Sequence, residues 1–268
     1  MPSVSNIAIG ANMAAAAANK ARHGMNESIA RLSTGIRAMY GGDAAGHSVG
    51  TVHSAQSKGY AAATRNIEDG ISYLQAGESV LLEVANMGQR LRELGIQADN
   101  AEILSTANKQ IAAMNAEATI LSDSITNILG TTKFNGLEVV DSAGTDAKAA
   151  IAFTGDAYDT VYTAGPATSI ADTNLSTAAA ATAAADTFLA SVSTALGQIA
   201  ADLTALKAFQ GAASATSANT AAAAARIMDT DYATETASLT KNSILNQAAL
   251  SMAAQANNAQ SAILSVLQ

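Results

Sequence analysis

The segment from residue 244 to 268, "ILNQAALSMAAQANNAQSAILSVLQ", decides how the rest of the chain is read. Its apolar residues recur at Leu245, Ala249, Met252, Ala256, Ala259, Ile263 and Val266, in steps of fours and threes. A mean step of about 3.5 residues keeps one narrow stripe on one side of a helix, the spacing of a coiled-coil seam. The stripe is rich in alanine, which favours helix but buries little area. A lone helix of this kind is marginal in water and needs a partner along its length.

The first segment of the chain repeats the pattern. Ile7, Ala11, Ala14, Ala18, Ala21, Met25, Ile29, Leu32 and Ile36 step almost entirely by fours and threes, and Ser5 or Asn6 is placed to cap the start. The simplest partner for one seam is the other. Because alanine at both seams stabilises little, further support is expected from neighbouring chains.

Inward from these ends, "RAMYGGDAAGHSVG" (residues 37–50) is a glycine-rich break. Helical periodicity resumes at Ile67, Ile71, Leu74, Gly77, Leu81, Val84, Met87, Leu91 and Leu94, predicting one long helix over about 60–98. "ADNAE" marks a turn, and a third helix follows with Ile111, Met114, Ala118, Leu121, Ile125 and Ile128 as its seam. Asn135-Gly136 is a hairpin-turn pair, followed by strand-like pieces "LEVV", "AAIAF" and "DTVYT". Residues 165–180 read as a low-complexity surface connection. Helix returns with Leu189, Val192, Leu196, Ile199, Leu203 and Leu206, continues weakly through alanine, and breaks at "MDTDYATE".

The expected fold is mainly α: an elongated antiparallel helical bundle or coiled coil with its N- and C-terminal helices paired, plus a small β-hairpin in the middle. Residues 1–36 and 237–268 form the paired terminal helices. Residues 37–56 and 227–236 link them to a helical core of 57–136 and 181–226, and 137–180 make the short hairpin and surface connection.

Composition excludes several functions. The 268 residues carry a net charge of −8, which argues against nucleic acid as a partner, and no cysteine, which removes thiol and disulfide chemistry. No apolar run reads as long enough to insert in a membrane, and the start lacks the basic leader of a cleaved secretory signal. An enzyme is not expected, and neither is a cofactor or metal. His23, His47 and His53 do not form a helical metal pair. The glycine-rich stretch lacks the Lys-Ser/Thr of a phosphate loop. Asp229, Asp231 and Glu235 lack the spacing of a calcium loop and read as capping and turn residues.

Several stretches in fixed order then identify a family. "ESIARLSTGIRA", "GGDAAGHSVG", "TRNIEDGISYLQAGESVL", "GQRLRELGIQADN", "TTKFNGLEVV" and "RIMDTDYATETASLTKNSILNQAALSMAAQAN" make the chain resemble bacterial flagellin, the subunit of the flagellar filament, over its first ~140 and last ~80 residues. The middle is short, as if the outer surface domains were missing. The resemblance implies a structural protein of swimming motility that self-assembles into a helical homopolymer outside the cell. Export would run through the flagellar secretion channel without a cleaved leader, with an export chaperone bound, and cap and junction proteins are further implied partners. A hook–filament junction protein is the alternative within the same family, and a chemoreceptor-like signalling coiled coil is the rival outside it.

The resemblance also implies site residues. A polymer or coiled-coil seam is expected at Ile7, Ala11, Ala14, Ala18, Met25, Ile29 and Leu32, and at Leu245, Ala249, Met252, Ala256 and Ile263. A face for inter-subunit contact and for Toll-like receptor 5 is expected at Arg90, Leu94 and Gln97, whose spacing shares one helix side. Ser124 and Gly95 depart from the residues common in recognised flagellins. Glycans on Ser or Thr of 142–180 are a further family property. The terminal seams are expected to order on assembly, which keeps free subunits from polymerising early.

Overall fold

The computed structural model describes residues 2–37, 42–99, 109–140, 149–152, 161–164 and 178–267. Five helices carry most of it: α1 (Pro2–Thr34), α2 (Ala44–Asp99), α3 (Lys109–Thr131), α4 (Ala178–Met228) and α5 (Tyr232–Leu267). Between α3 and α4 lie two antiparallel strand pairs. β1 (Lys133–Phe134) pairs with β2 (Leu137–Glu138), and β3 (Ala149–Ala152) with β4 (Val161–Ala164), Ala149 standing opposite Ala164. The mainly helical fold with paired terminal helices and a small β-hairpin is thus present. The connection expected over 165–180 lies outside the described residues as far as residue 177.

Two compact units divide the chain, residues 1–55 with 220–268, and residues 56–219. In the first, α1 packs along α5, and their Cα atoms repeatedly come within 8 Å. Such close approach follows from the small side chains between them, with Ala18, Ala21 and Ala249 buried. Two polar contacts set the antiparallel register. Arg31 lies 3.5 Å from Glu235, and Asn242 occupies the space in which a Cβ on Gly24 would sit.

The second unit has a conventional core. Ile67, Leu74, Leu81, Val84, Leu91 and Leu94 line one side of α2 at helical spacing. They meet Ala118, Ile125 and Leu129 of α3, and Phe188, Val192, Ile199 and Leu206 of α4. The β1–β2 hairpin closes one part of this core. Asn135 and Gly136 have φ of 50° and 83°, the pair of positive values that a two-residue type I′ turn requires. The Tyr73 hydroxyl donates to the Glu138 carbonyl at 2.6 Å, Tyr73 meets Phe134 edge-on, and Val139 and Val140 are buried just beyond.

Three expectations are corrected. The long helix starts at Ala44, not near residue 60. Asp43 caps it by accepting from the Gly46 amide at 2.8 Å, and Gly50 continues the helix where any side chain would overlap Met228. The hairpin starts at Lys133, because its turn residues sit between the strands and not before them. Finally, a stretch of α4, Thr182–Met228, is long and apolar enough by length and composition to cross a membrane. Alanine makes it so, since each alanine adds hydropathy with little area. The larger residues of the same helix, Phe188, Val192, Ile199 and Leu206, are buried in the core of the second unit.

Candidate functional site

The α1–α5 pair hides one stripe along each helix. Along α1 the shielded positions are Ala11, Ala14, Ala18, Ala21, Met25, Ser28 and Leu32; along α5 they include Asn242, Asn246, Ala249, Ala253 and Ala256. Of the seam residues expected from sequence, Ala11, Ala14, Ala18, Met25, Leu32, Ala249 and Ala256 therefore lie on the shielded side. Ile29, Leu245 and Met252 do not, being 48%, 48% and 65% exposed. The shielded stripe keeps the alternation of threes and fours on both helices, but at these positions its phase lies one residue away from the one that the larger apolar side chains suggest. Ser28 takes the inner position next to Ile29, and Asn246 and Ala253 those next to Leu245 and Met252. The side chains of Ile7 and Ile263 lie outside the described residues.

Large apolar side chains are left open around this pair: Ile9, Met13, Ile244 and Leu250, like Ile29, Leu245 and Met252, are each about half exposed or more. Their area remains in water in the single chain, where burying a side chain of this size would yield roughly 1.5–3 kcal/mol. A chain that leaves so many large apolar groups open on two adjacent helices has a surface suited to association.

Where α1 ends and α5 begins, four helix ends meet in a polar joint. Gly35 takes φ 72° and donates its amide to the Arg31 carbonyl at 2.8 Å, closing α1. The next residues form a short bridge: the Arg37 amide donates to the Met228 carbonyl at 2.7 Å, and the Thr230 amide to the Gly35 carbonyl at 2.9 Å. The Arg37 guanidinium donates to the Ile227 carbonyl at 2.9 Å and to Asp43 at 2.9 Å, joining the end of α4 to the cap of α2. Hydrogen bonding from the Gly46 amide and then from Arg37 holds the Asp43 carboxyl below its ordinary range. Asp231 starts α5, accepting from the Ala233 amide at 2.9 Å and from the Thr234 hydroxyl at 2.8 Å, and these bonds, Thr234 first, lower its pKa. Sequence reasoning assigned Asp231 a capping role but missed Arg37. The only trace of Arg37 was a lone base within a glycine-rich break.

On α2, Arg90, Leu94 and Gln97 do not form one open face. Leu94 is 3% exposed and belongs to the core, whereas Arg90 and Gln97 are exposed. The stripe that includes Leu91, Leu94 and Ala98 continues the core side of α2, so Leu94 turns inward while Arg90 and Gln97 stay exposed. Arg90 bridges Glu117 of α3 and Glu93, each at 2.9 Å, and these partners, Glu117 first, raise its pKa. Ser124 spends its hydroxyl on the Ile120 carbonyl within its own helix. Gly95 is buried and helical.

The model of the bacterial flagellin N-terminal helical region matches residues 5–145, and that of the C-terminal helical region matches residues 179–267. The chain belongs to the bacterial flagellin family. It is 33% identical over 251 residues to a flagellin of Halalkalibacterium halodurans, covering 89% of this chain and 90% of that one. It is 36% identical over 123 residues to a flagellin of Salmonella typhimurium, with 46% of this chain and 24% of that longer flagellin aligned. With polar flagellin F of Vibrio parahaemolyticus it shares 34% identity over 142 residues, or 51% of this chain and 37% of the relative. The crystal structure of Bacillus cereus flagellin matches with 25% identity and a TM-score of 0.39, covering 58% of this chain and 88% of that one. Flagellins are structural proteins of the extracellular flagellar filament, and the family account of this chain is that of a filament subunit. The alignment with the Halalkalibacterium flagellin runs over 90% of that relative, whereas this chain spans only about a quarter to a third of the Salmonella and Vibrio ones.

Proposed function

We propose that this flagellin polymerises through its α1–α5 pair into a helical filament that drives swimming. The observation that carries the proposal is the set of large apolar side chains left exposed around that pair, Ile9 and Met13 on α1 and Leu250 and Met252 on α5 among them. In the single chain these groups have no cover. A neighbouring copy of the same chain supplies it, and the sequence-derived seam divides accordingly. Ala18 and Ala249 hold α1 against α5, while Ile29, Leu245 and Met252 meet other subunits. The division into terminal pair (1–36, 237–268), linking segments (37–56, 227–236), helical core (57–136, 181–226) and middle (137–180) belongs to the same proposal, with the Arg37 joint inside the linking segments.

The remaining partners follow from this role. The chain leaves the cell through the flagellar secretion channel without a cleaved leader, an export chaperone covers its assembly surface beforehand, and cap and junction proteins contact the ends of the polymer. Recognition by Toll-like receptor 5 runs through Arg90 and Gln97, which are open in the single chain, with Leu94 supporting the helix from within. Chemistry at a catalytic centre has no part in this account.

Seeded growth tests the proposal. Purified chain added to short filament fragments should lengthen them, followed by light scattering and electron microscopy. A chain that stays monomeric over seeds at high concentration, or that only caps them, would refute the filament reading and favour the junction protein.

A further inference from the structure

We infer that Met13 and Met252 are a pair of oxidisable sites whose conversion to sulfoxide blocks assembly of the free subunit; the inference rests on the filament reading above. Met13 is 68% exposed and Met252 65%, the most open large apolar side chains described on α1 and α5. Other described methionines differ. Met87 and Met114 pack against the core of the second unit, Met25 is half-buried at the α1–α5 contact, and Met228 fills the space over Gly50.

The two open thioethers also stand together. The Arg31–Glu235 and Gly24–Asn242 contacts advance seven residues back along α1 for seven forward along α5. The same register carried on brings Met13 level with Ala253, beside Met252. Both are exposed, so one level of the pair carries two open sulfurs. They stay open until another subunit covers them.

The chemistry needs a peroxide and no catalyst. A lone pair of the thioether sulfur attacks one oxygen of hydrogen peroxide, the O–O bond breaks and an S–O bond forms. The departing hydroxide takes the proton of the transferred oxygen and leaves as water. Sulfur is oxidised by two electrons and the peroxide is reduced by two. The product replaces a flexible apolar tip with a strongly polar one that must keep its hydrogen bonds to water. At a surface whose association depends on removing apolar area from water, two such groups at one level raise the subunit concentration needed for growth by about tenfold or more. Incorporated subunits have both sulfurs covered, so an existing filament resists the oxidant that stops its extension.

The test treats full-length chain with graded hydrogen peroxide before seeding, maps sulfoxide by peptide mass spectrometry and measures growth on seeds. The expected result is that Met13 and Met252 are oxidised ahead of Met87 and Met114, that growth is lost in step with them, and that methionine sulfoxide reductases restore it. In a Met13→Leu/Met252→Leu chain the same treatment should leave growth at that variant's own untreated rate. If the double variant grows poorly even untreated, each single variant should retain part of the sensitivity, and intact filaments should leave both sulfurs unmodified. Normal growth of chain oxidised at both positions, or equal loss in the Leu variants, overturns the inference while leaving the filament reading intact. Failure of untreated chain to grow on seeds overturns the filament reading, and the inference with it.

Discussion

The Arg37 guanidinium lies 2.9 Å from the carbonyl oxygen of Ile227, 190 positions further along the chain. It reaches that carbonyl from the end of α1 and at the same time bonds Asp43, the cap of α2. One side chain thereby satisfies an end carbonyl of α4 and neutralises the charge that starts another helix.

Replacing Arg37 with Ala should destabilise this joint by about 1 kcal/mol, toward the low end for a charge-assisted bond because the side chain is half exposed. The amide of Thr230, bonded to the Gly35 carbonyl, reports on it directly. Hydrogen exchange at that amide should accelerate in Arg37→Ala and much less in Arg37→Lys, which keeps a charge for Asp43. Unchanged exchange in Arg37→Ala would remove the joint from the account.

Acid should loosen the same region. Asp43 and Asp231 both gain hydrogen bonds to their charged forms on folding, so their folded-state pKa values lie below the ordinary aspartate value of about 3.9. Their stabilisation is complete above that value and is lost as the pH falls below it toward the folded-state pKa. Thermal melts followed by circular dichroism should therefore show a loss of stability below about pH 4 that is smaller in Asp43→Asn/Asp231→Asn. Asparagine retains a cap oxygen but has no proton to bind there. Identical pH slopes in both chains would contradict these assignments.

Ala18 and Met252 make opposite predictions. Ala18 is 4% exposed between α1 and α5, where the backbones are close, so Ala18→Leu should overpack the pair at a cost of about 1–3 kcal/mol and abolish growth on seeds. Met252→Ala removes an exposed side chain, leaves the α1–α5 pair intact, and should only weaken growth. Normal filaments from Ala18→Leu would show that the two helices do not meet there.

Leu94 and Gln97 separate fold from surface on α2. Truncating Leu94 to Ala leaves a cavity in the core and should cost about 2–5 kcal/mol by denaturant unfolding, whereas Gln97→Ala should change stability by less than about 0.5 kcal/mol. A receptor assay on Leu94→Ala would therefore mix unfolding with lost contact, while Arg90→Ala and Gln97→Ala report on the surface. Equal stability of all three variants would place Leu94 outside the core.

The large features were legible because they are repetitive. Ile67 to Leu94 keep helical spacing over about seven turns, and a pattern that long overrides local uncertainty. Asn135-Gly136 marked its turn because so few residue pairs tolerate two positive φ values. The face of α5 was harder to read. Where most positions are Ala, Ser or Asn, burial differs little in consequence between neighbours, and Leu245 and Met252 drew the seam toward themselves. The contact instead centres on Ala249 and is registered by the polar pairs Arg31–Glu235 and Gly24–Asn242, which hydrophobic periodicity cannot weigh. The start of α2 was hidden for a related reason. Gly46 and Gly50 look like breaks in isolation, and only the Asp43 cap and the close passage of Met228 make them helical.

The most direct measurement is an electron cryo-microscopy reconstruction of polymer grown from this chain. The account predicts a helical tube in which Ile9, Met13, Leu250 and Met252 are buried against neighbouring subunits while Ala18 and Ala249 remain within each α1–α5 pair. A polymer in which those four side chains stay in water, with subunits joined through the second unit alone, would contradict it.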